Sequence, residues 1–456
     1  MAQSTRQSVL FDNGFGKPVL ATFDAETQSS DGGLLLLARL DRQIELTARL
    51  AACLEDPRDQ AKVHHALLTL LRERVYALAQ GYADTTDCAR LADDAALKVA
   101  LGQLPVRDVL LASQPTISRF ENTPTGRELV RAQRALEDAV IERLRRRHRG
   151  ARKVYLDFDP AHDRAHGEQQ GVLFSGFYDG YGYLPMFGFL TVEGDPEQYL
   201  LFARLRPGTR KAFQSFLPAL RRIVRKVQGA FPRAQVIVRL DSEFTTGVLL
   251  DALESLGVKY IAGLKNNPKL KKMAKWHVAR ARGEARRTGK PARRFKEFSY
   301  QAKTWRRARR VILKAEVLPH PTRGPKDNPR WVITNLRHKP KNAYAIYCQR
   351  GDAENRVKEL KLDVQSDRTS CHRFLANQFR LLMAASAYVL LQDLRWQLRK
   401  THLKRARVAR IRLLLLKIGV RVRESVRRVV MHFPRTCPER RTWIHVARRL
   451  GAVPSG

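Results

Sequence analysis

The 456-residue chain is short of cysteine and of acidic side chains. Its five cysteines, Cys53, Cys88, Cys348, Cys371 and Cys437, are odd in number and far apart, and no CxxC pair exists. That argues against a zinc site or a disulfide framework and suits a reducing cytoplasm. No run of 18 or more apolar residues occurs, so no membrane span is expected. The N-terminal MAQSTRQSVLFDNG lacks the long apolar segment of a signal peptide. No Walker A pattern is present, so ATP is not expected, and no organic cofactor is implied. No internal repeat is evident.

Bases outnumber acids, 85 Lys and Arg against 44 Asp and Glu, giving a formal net charge of +41. A balance this basic implies a polyanionic partner such as nucleic acid. The excess is uneven. Residues 1–150 hold 21 basic and 20 acidic side chains, residues 151–365 hold 43 and 20, and residues 366–456 hold 21 and 4. At 44% apolar the chain has enough material for a core, and its length suggests several domains.

Leu and Ala recur at helical spacing in 33–55, 60–80 and 126–148, so 1–150 reads as a helical domain. The pattern changes at VYLDFD (154–159). Strand-like runs follow in 172–192 and 198–205, then VIVRL (236–240) and YIAGL (260–264). Helical patterns at Lys211–Gln228 and Thr245–Leu256 fall between them. These elements predict an α/β fold with a mixed five-stranded sheet. Residues 265–311 break the pattern with 18 basic residues against two acids. Two strand-like runs come after (311–318 and 330–336), so 266–339 reads as a basic insertion with β character. It interrupts a catalytic region of 151–265 and 340–365. The remainder, 366–456, reads as Arg-rich and helical, suited to DNA contact or dimerisation.

In so basic a chain, acids on predicted strands stand out. Asp157 and Asp159 lie two apart and share one strand face. Asp241 follows VIVRL, at the C-terminal end of a buried strand, where open α/β sheets place ligands. A turn role before Pro160 and a helix-cap role for Asp241 are the plain alternatives. Later, AYAIYCQRGDAENRVKELK sets Tyr347, Arg350, Glu354 and Lys361 at offsets of 3, 7 and 14. At about 100° per residue all four fall on one narrow stripe of a single helix. Such a stripe is either a solvated face or a carboxylate flanked by cations for a metal–phosphate site.

The Tyr-x2-Arg-x3-Glu-x6-Lys spacing resembles the signature of DDE transposases of bacterial insertion sequences, whose catalytic domain is similar to RNase H and retroviral integrase. The order of the acids and the basic insertion before the Glu also match. The resemblance implies an RNase H-like sheet with Asp159, Asp241 and Glu354 as a catalytic triad holding two Mg²⁺ ions, which Mn²⁺ could replace. Asp157 is the rival for the first place. It also implies that Tyr347, Arg350 and Lys361 contact a DNA end. The partners implied are terminal inverted repeats and target duplex, with a homodimer on the ends and a cytoplasmic, nucleoid-associated location.

The basic run invites phosphate contact through Lys265, Lys269, Lys271 and Lys272. Trp305 is a candidate for stacking on an extruded base, and Trp331 looks more like core. LLASQPTISRFEN (110–122) resembles the turn and second helix of a helix-turn-helix, with Arg119 toward a groove. His162 and His166 follow the first acids and read as loop residues. A structure-selective nuclease of the same fold, or a DNA-binding protein with a decayed site, are the competing readings.

Overall fold

A computed structural model describes residues 8–11, 17–22, 24–25, 27–176, 178–208, 216–320 and 324–453. The chain divides into two compact units. One comprises Ala52–Glu55 and Asn122–Val389, the other Met1–Ala51, Asp56–Glu121 and Leu390–Gly456.

The first of these carries the acids. Its opening helix α1 (Gly126–Arg147) begins at a capping box, with the Thr125 hydroxyl and Glu128 carboxylate satisfying each other's backbone N–H groups. Strand β1 (Lys153–Pro160) follows, then β2 (Met186–Val192), β3 (Tyr199–Arg204), helix α2 (Phe216–Ala230), β4 (Gln235–Leu240), helix α3 (Gly247–Ser255) and β5 (Lys259–Leu264). Residues 211–215 of the helix expected from Lys211 lie outside the described residues. β2 runs antiparallel to β1 and to β3, whereas β4 is parallel to both β1 and β5. The five strands therefore lie in the order β3-β2-β1-β4-β5 within a mixed sheet.

That sheet does not stop at five strands. After helix α4 (Pro268–Thr288) come β6 (Ala292–Tyr300), β7 (Arg309–Leu318) and β8 (Arg330–Thr334), and β8 pairs antiparallel with β5. With β7 and β6 beyond it, and Lys326–Asp327 paired to β7, the sheet has nine strands. The segment read as a β-rich insertion thus extends the sheet from the edge of β5, where unpaired backbone groups need partners. Ile237, Ile261, Ile312 and Val332, one from each of β4, β5, β7 and β8, form one buried cluster with Ala343 and Tyr344.

The same segment also holds a 21-residue helix where β character was expected. The Asn267 side chain caps α4, Pro268 opens it and Gly289 closes it at φ 64°. Its buried stripe is Leu270, Ala274, Val278, Ala281 and Ala285. Only two of those five are large, so the Lys and Arg between them hid the period.

In the other unit, short helices from Leu34–Ile44 to Gln114–Asn122 are joined by a three-stranded sheet of Gln28–Ser29, Val420–Glu424 and Val429–His432. The expected all-helical C-terminal region therefore contains a hairpin that pairs with the N-terminal segment. The helix Phe374–Gln397, divided between the two units at Val389, is long and apolar enough to cross a membrane by length and composition alone, though Asn377, Gln378 and Arg380 interrupt its apolar residues. Most of it is buried inside the protein, together with Asn377 and Asp393.

Candidate active site

β1 alternates in the manner of a strand covered on both faces. Leu156 and Phe158 point to one side, where Phe158 meets Phe216 edge-on at 4.9 Å. Asp157 and Asp159 point to the other. Their environments then diverge. Asp157 is wholly buried and receives two hydrogen bonds from Arg239, both 2.6 Å. Arg239 is its register partner on β4 and stacks on Tyr155, with the guanidinium 4.8 Å from the ring centroid. Both carboxylate oxygens of Asp157 are thus engaged by one fork.

Asp159 is paired differently. The β1–β4 register ends with Phe158 opposite Leu240, so the next step sets Asp159 beside Asp241 at the C-terminal ends of two adjacent parallel strands. Asp241 caps the short turn Ser242–Phe244, its carboxylate accepting the Ser242 N–H at 2.6 Å. The cap role and a role at the strand end therefore coexist.

Glu354 comes from above this strand end. The expected single helix is two, α5 (Pro340–Cys348) and α6 (Gly351–Val364), joined through a turn at Gln349–Arg350. The bonds Arg350 N–H to Tyr347 O and Ala353 N–H to Arg350 O tighten the chain there by one residue. The break does not scatter the stripe. Arg350 donates to Asp159 Oδ1 at 2.8 Å and, from its other terminal nitrogen, to Glu354 Oε1. Its guanidinium also lies 5.8 Å from the Tyr347 ring centroid. The Tyr347 hydroxyl lies over the end of β5, where Gly263 leaves room. A Cβ there would stand 2.6 Å from that hydroxyl.

The electrostatics record how close the acids are. Burial pushes the Asp159 carboxyl up to about 6; Arg350 opposes the shift, and the charges of Glu354 and Asp241 add to it. Burial also raises the Tyr347 phenol, with Arg350 opposing and Asp241 adding. The Arg350 guanidinium is held more firmly protonated, burial notwithstanding, by Asp159, Tyr347, Glu354 and Asp241. Asp241, Asp159, Glu354, Arg350 and Tyr347 therefore form one interacting cluster. Three carboxylates make a hard-oxygen donor set of the kind that suits Mg²⁺ or Mn²⁺. Among the described residues no three His, Cys, Asp or Glu side chains stand close enough to hold a metal ion in this arrangement, with Arg350 between Asp159 and Glu354.

A family model described as transposase DDE domain group 1 matches residues 11–455. The chain belongs to the DDE transposase family. No curated protein matches it.

The remaining candidates of the transposase fall in several places. Lys361 is in the last turn of α6, its ammonium 2.9 Å from the buried Asp163 carboxylate and bonded to the His162 carbonyl at 2.5 Å. Lys265 follows β5, and Lys269, Lys271 and Lys272 lie on α4, all exposed. Trp305 is 4% exposed, edge-on to Tyr300 at 5.5 Å and under the Arg309 guanidinium, so its indole presents no open face. Trp331 is 3% exposed and packs against Phe298. The exposed indole is Trp276, on α4 beside Lys275, with the Arg280 guanidinium 4.6 Å from its ring centroid. Its position between the basic residues of the run was the available signal. Arg119 is exposed on Gln114–Asn122 and contacts Thr116. The helix before it ends at Leu101, and residues 102–113 are too long a link for a helix-turn-helix turn.

Proposed function

We propose that this transposase cuts and joins DNA at specific terminal inverted repeats by metal-dependent phosphodiester chemistry, with Asp159, Asp241 and Glu354 as the metal-holding triad. The observation that carries the reading is the meeting of Asp159 and Asp241 on adjacent parallel strand ends with Glu354, through Arg350. The strand order β3-β2-β1-β4-β5 with only β2 antiparallel to its neighbours supports an RNase H-like core.

Magnesium or manganese bound by the three carboxylates would supply charge neutralisation at the scissile phosphate and an activated attacking oxygen. The protein's own part is placement. β1 and β4 deliver two carboxylates without a flexible linker, and α6 brings the third. Arg350 offsets their mutual repulsion while the site is empty of DNA and then offers donors to a phosphate. Tyr347 lies beside them with its phenol kept neutral. Exposed Lys265, Lys269, Lys271 and Lys272 give the duplex a phosphate track, and two protomers would hold the two ends of one element.

Incubation of the protein with Mg²⁺ and the DNA flanking its own coding sequence tests this. Cleavage at the repeat ends followed by joining of a 3′ end to target duplex is the expected result. Cutting without joining would make the enzyme a nuclease, and neither activity would remove the reading.

A further inference from the structure

Helix α6 is fastened to one extended segment at two points. At its start, Arg350 bonds Asp159. In its last turn, Lys361 meets Asp163 and the carbonyl of His162. Asp159 and Asp163 are four residues apart, about 13 Å in extended chain. Arg350 and Lys361 are eleven apart, about 16 Å along a helix. The lengths match once the reach of the two long side chains is allowed for. Glu354 projects between the two fastenings.

The second fastening is unusually closed. The Asp163 side chain is 0% exposed and that of Lys361 21%. Lys361 donates to the His162 carbonyl at 2.5 Å, and its ammonium also stands 2.9 Å from the Asp163 carboxylate, combining charge attraction with hydrogen-bonding reach. Asp367 adds a weaker carboxylate at 3.9 Å. The strand Gly180–Tyr183 presses on the same segment, and a Cβ on Gly182 would lie 2.1 Å from the Asp163 carbonyl oxygen. A buried carboxylate of this kind is costly unless paired, so the pair resists separation. The ammonium of Lys361 is therefore committed inward.

We propose that Asp163 is a positioning residue that anchors Lys361 and thereby holds the helix carrying Glu354 in place over Asp159. This rests on the triad reading above. Leu360, Val364 and the Tyr388 hydroxyl bonded to Glu359 already hold this end of α6 against the core, so the Lys361–Asp163 pair sets its fine position; a displacement of about 1 Å at a reacting group can cost about 10²-fold in rate.

The test compares wild-type transposase with Asp163→Asn, Lys361→Met and the double variant on a labelled duplex of its own terminal sequence with Mg²⁺. Asp163→Asn should lower kcat for cleavage about 10- to 100-fold, with the half-saturating duplex concentration and gel-shift affinity changed less than about threefold. Amide hydrogens in the last turn of α6 should exchange faster in the DNA-free, metal-free variant. The double variant should lose no more rate than Asp163→Asn, since both break one contact. If Asp163→Asn does not fold, the double variant, which removes both charges together, carries the comparison: a reduced kcat supports the anchor and a wild-type kcat overturns it. An unchanged kcat in Asp163→Asn, with a tenfold or greater loss of affinity in Lys361→Met, would make Lys361 a phosphate contact and overturn the proposal. Glu354→Gln serves as control. If wild type cleaves, Glu354→Gln does not and Asp163→Asn matches wild type, the anchor alone fails; if Glu354→Gln cleaves, the triad fails.

Discussion

The guanidinium of Arg350 spans two carboxylates from separate elements, Asp159 at the end of β1 and Glu354 in the first turn of α6. A cation between acids 195 residues apart in sequence bridges their carboxylates, and it defines what each substitution should do.

Glu354→Gln keeps the shape of the side chain and removes its charge. Cleavage of an end duplex should fall by at least about 10³-fold, as expected when a metal-holding charge is lost. Gel-shift affinity should hold or rise, since a negative charge near phosphate is gone. Parallel measurement of rate and affinity checks this, and substantial cleavage would take Glu354 out of the triad.

Asp157 and Asp159 should separate cleanly. Asp157→Ala leaves Arg239 buried without its fork, and loss of one partner of such a pair costs about 3–5 kcal/mol. Its melting temperature should drop, with activity falling in proportion to folded protein. Asp159→Asn should lose cleavage while melting no lower than wild type at pH 7, because it removes a carboxyl that burial and two neighbouring acids already disfavour as an anion. Thermal melts beside cleavage assays decide it.

The exposed face of α4 should carry sequence-independent binding. Replacing Lys269, Lys271, Lys272 and Lys275 by Gln should reduce the log–log salt slope by up to about 0.9 for each phosphate that is no longer neutralised. Trp276→Ala should weaken binding to single-stranded or frayed ends by about 1–3 kcal/mol if a base stacks there, whereas Trp305→Phe should act on stability alone. Titrations at several salt concentrations provide the readout.

A pH effect is expected in the other unit, at Glu73. Its side chain is buried, accepts one hydrogen bond from the Ala112 N–H, and is pushed by burial up to about 8. Because the folded pKa lies above the unfolded one, the folded state binds the proton more tightly. Stability from this group is therefore full below about pH 4.5 and is lost as pH rises toward 8. Glu73→Gln should stabilise the protein by about 2–4 kcal/mol at pH 8 and change little near pH 4.5. Denaturant melts at the two pH values test it, and equal effects at both would remove the assignment.

Several parts of the site were legible along the chain. VYLDFD read as a strand with two acids on one face, and VIVRL ended in an acid at the right edge, because alternation and apolar runs are local properties. The stripe of Tyr347, Arg350 and Glu354 was legible from helical spacing even though the helix breaks at Gln349–Arg350, since one tightened turn leaves the three on a common side. α4 was missed because its buried stripe is mostly alanine and its surface is mostly charge.

What the sequence determined by itself was the set of candidates, namely two acids on one strand, one at the next strand end, one on a helix and a basic field around them. Tertiary structure decided which of them remain available. Asp157 is occupied because Arg239, 82 residues away, is its partner across the β1–β4 pair. Lys361 turns inward because Asp163 is buried against it, and Trp305 is covered while Trp276 is not. Burial and ion pairing are set by neighbours from distant parts of the chain, and no local period reports them.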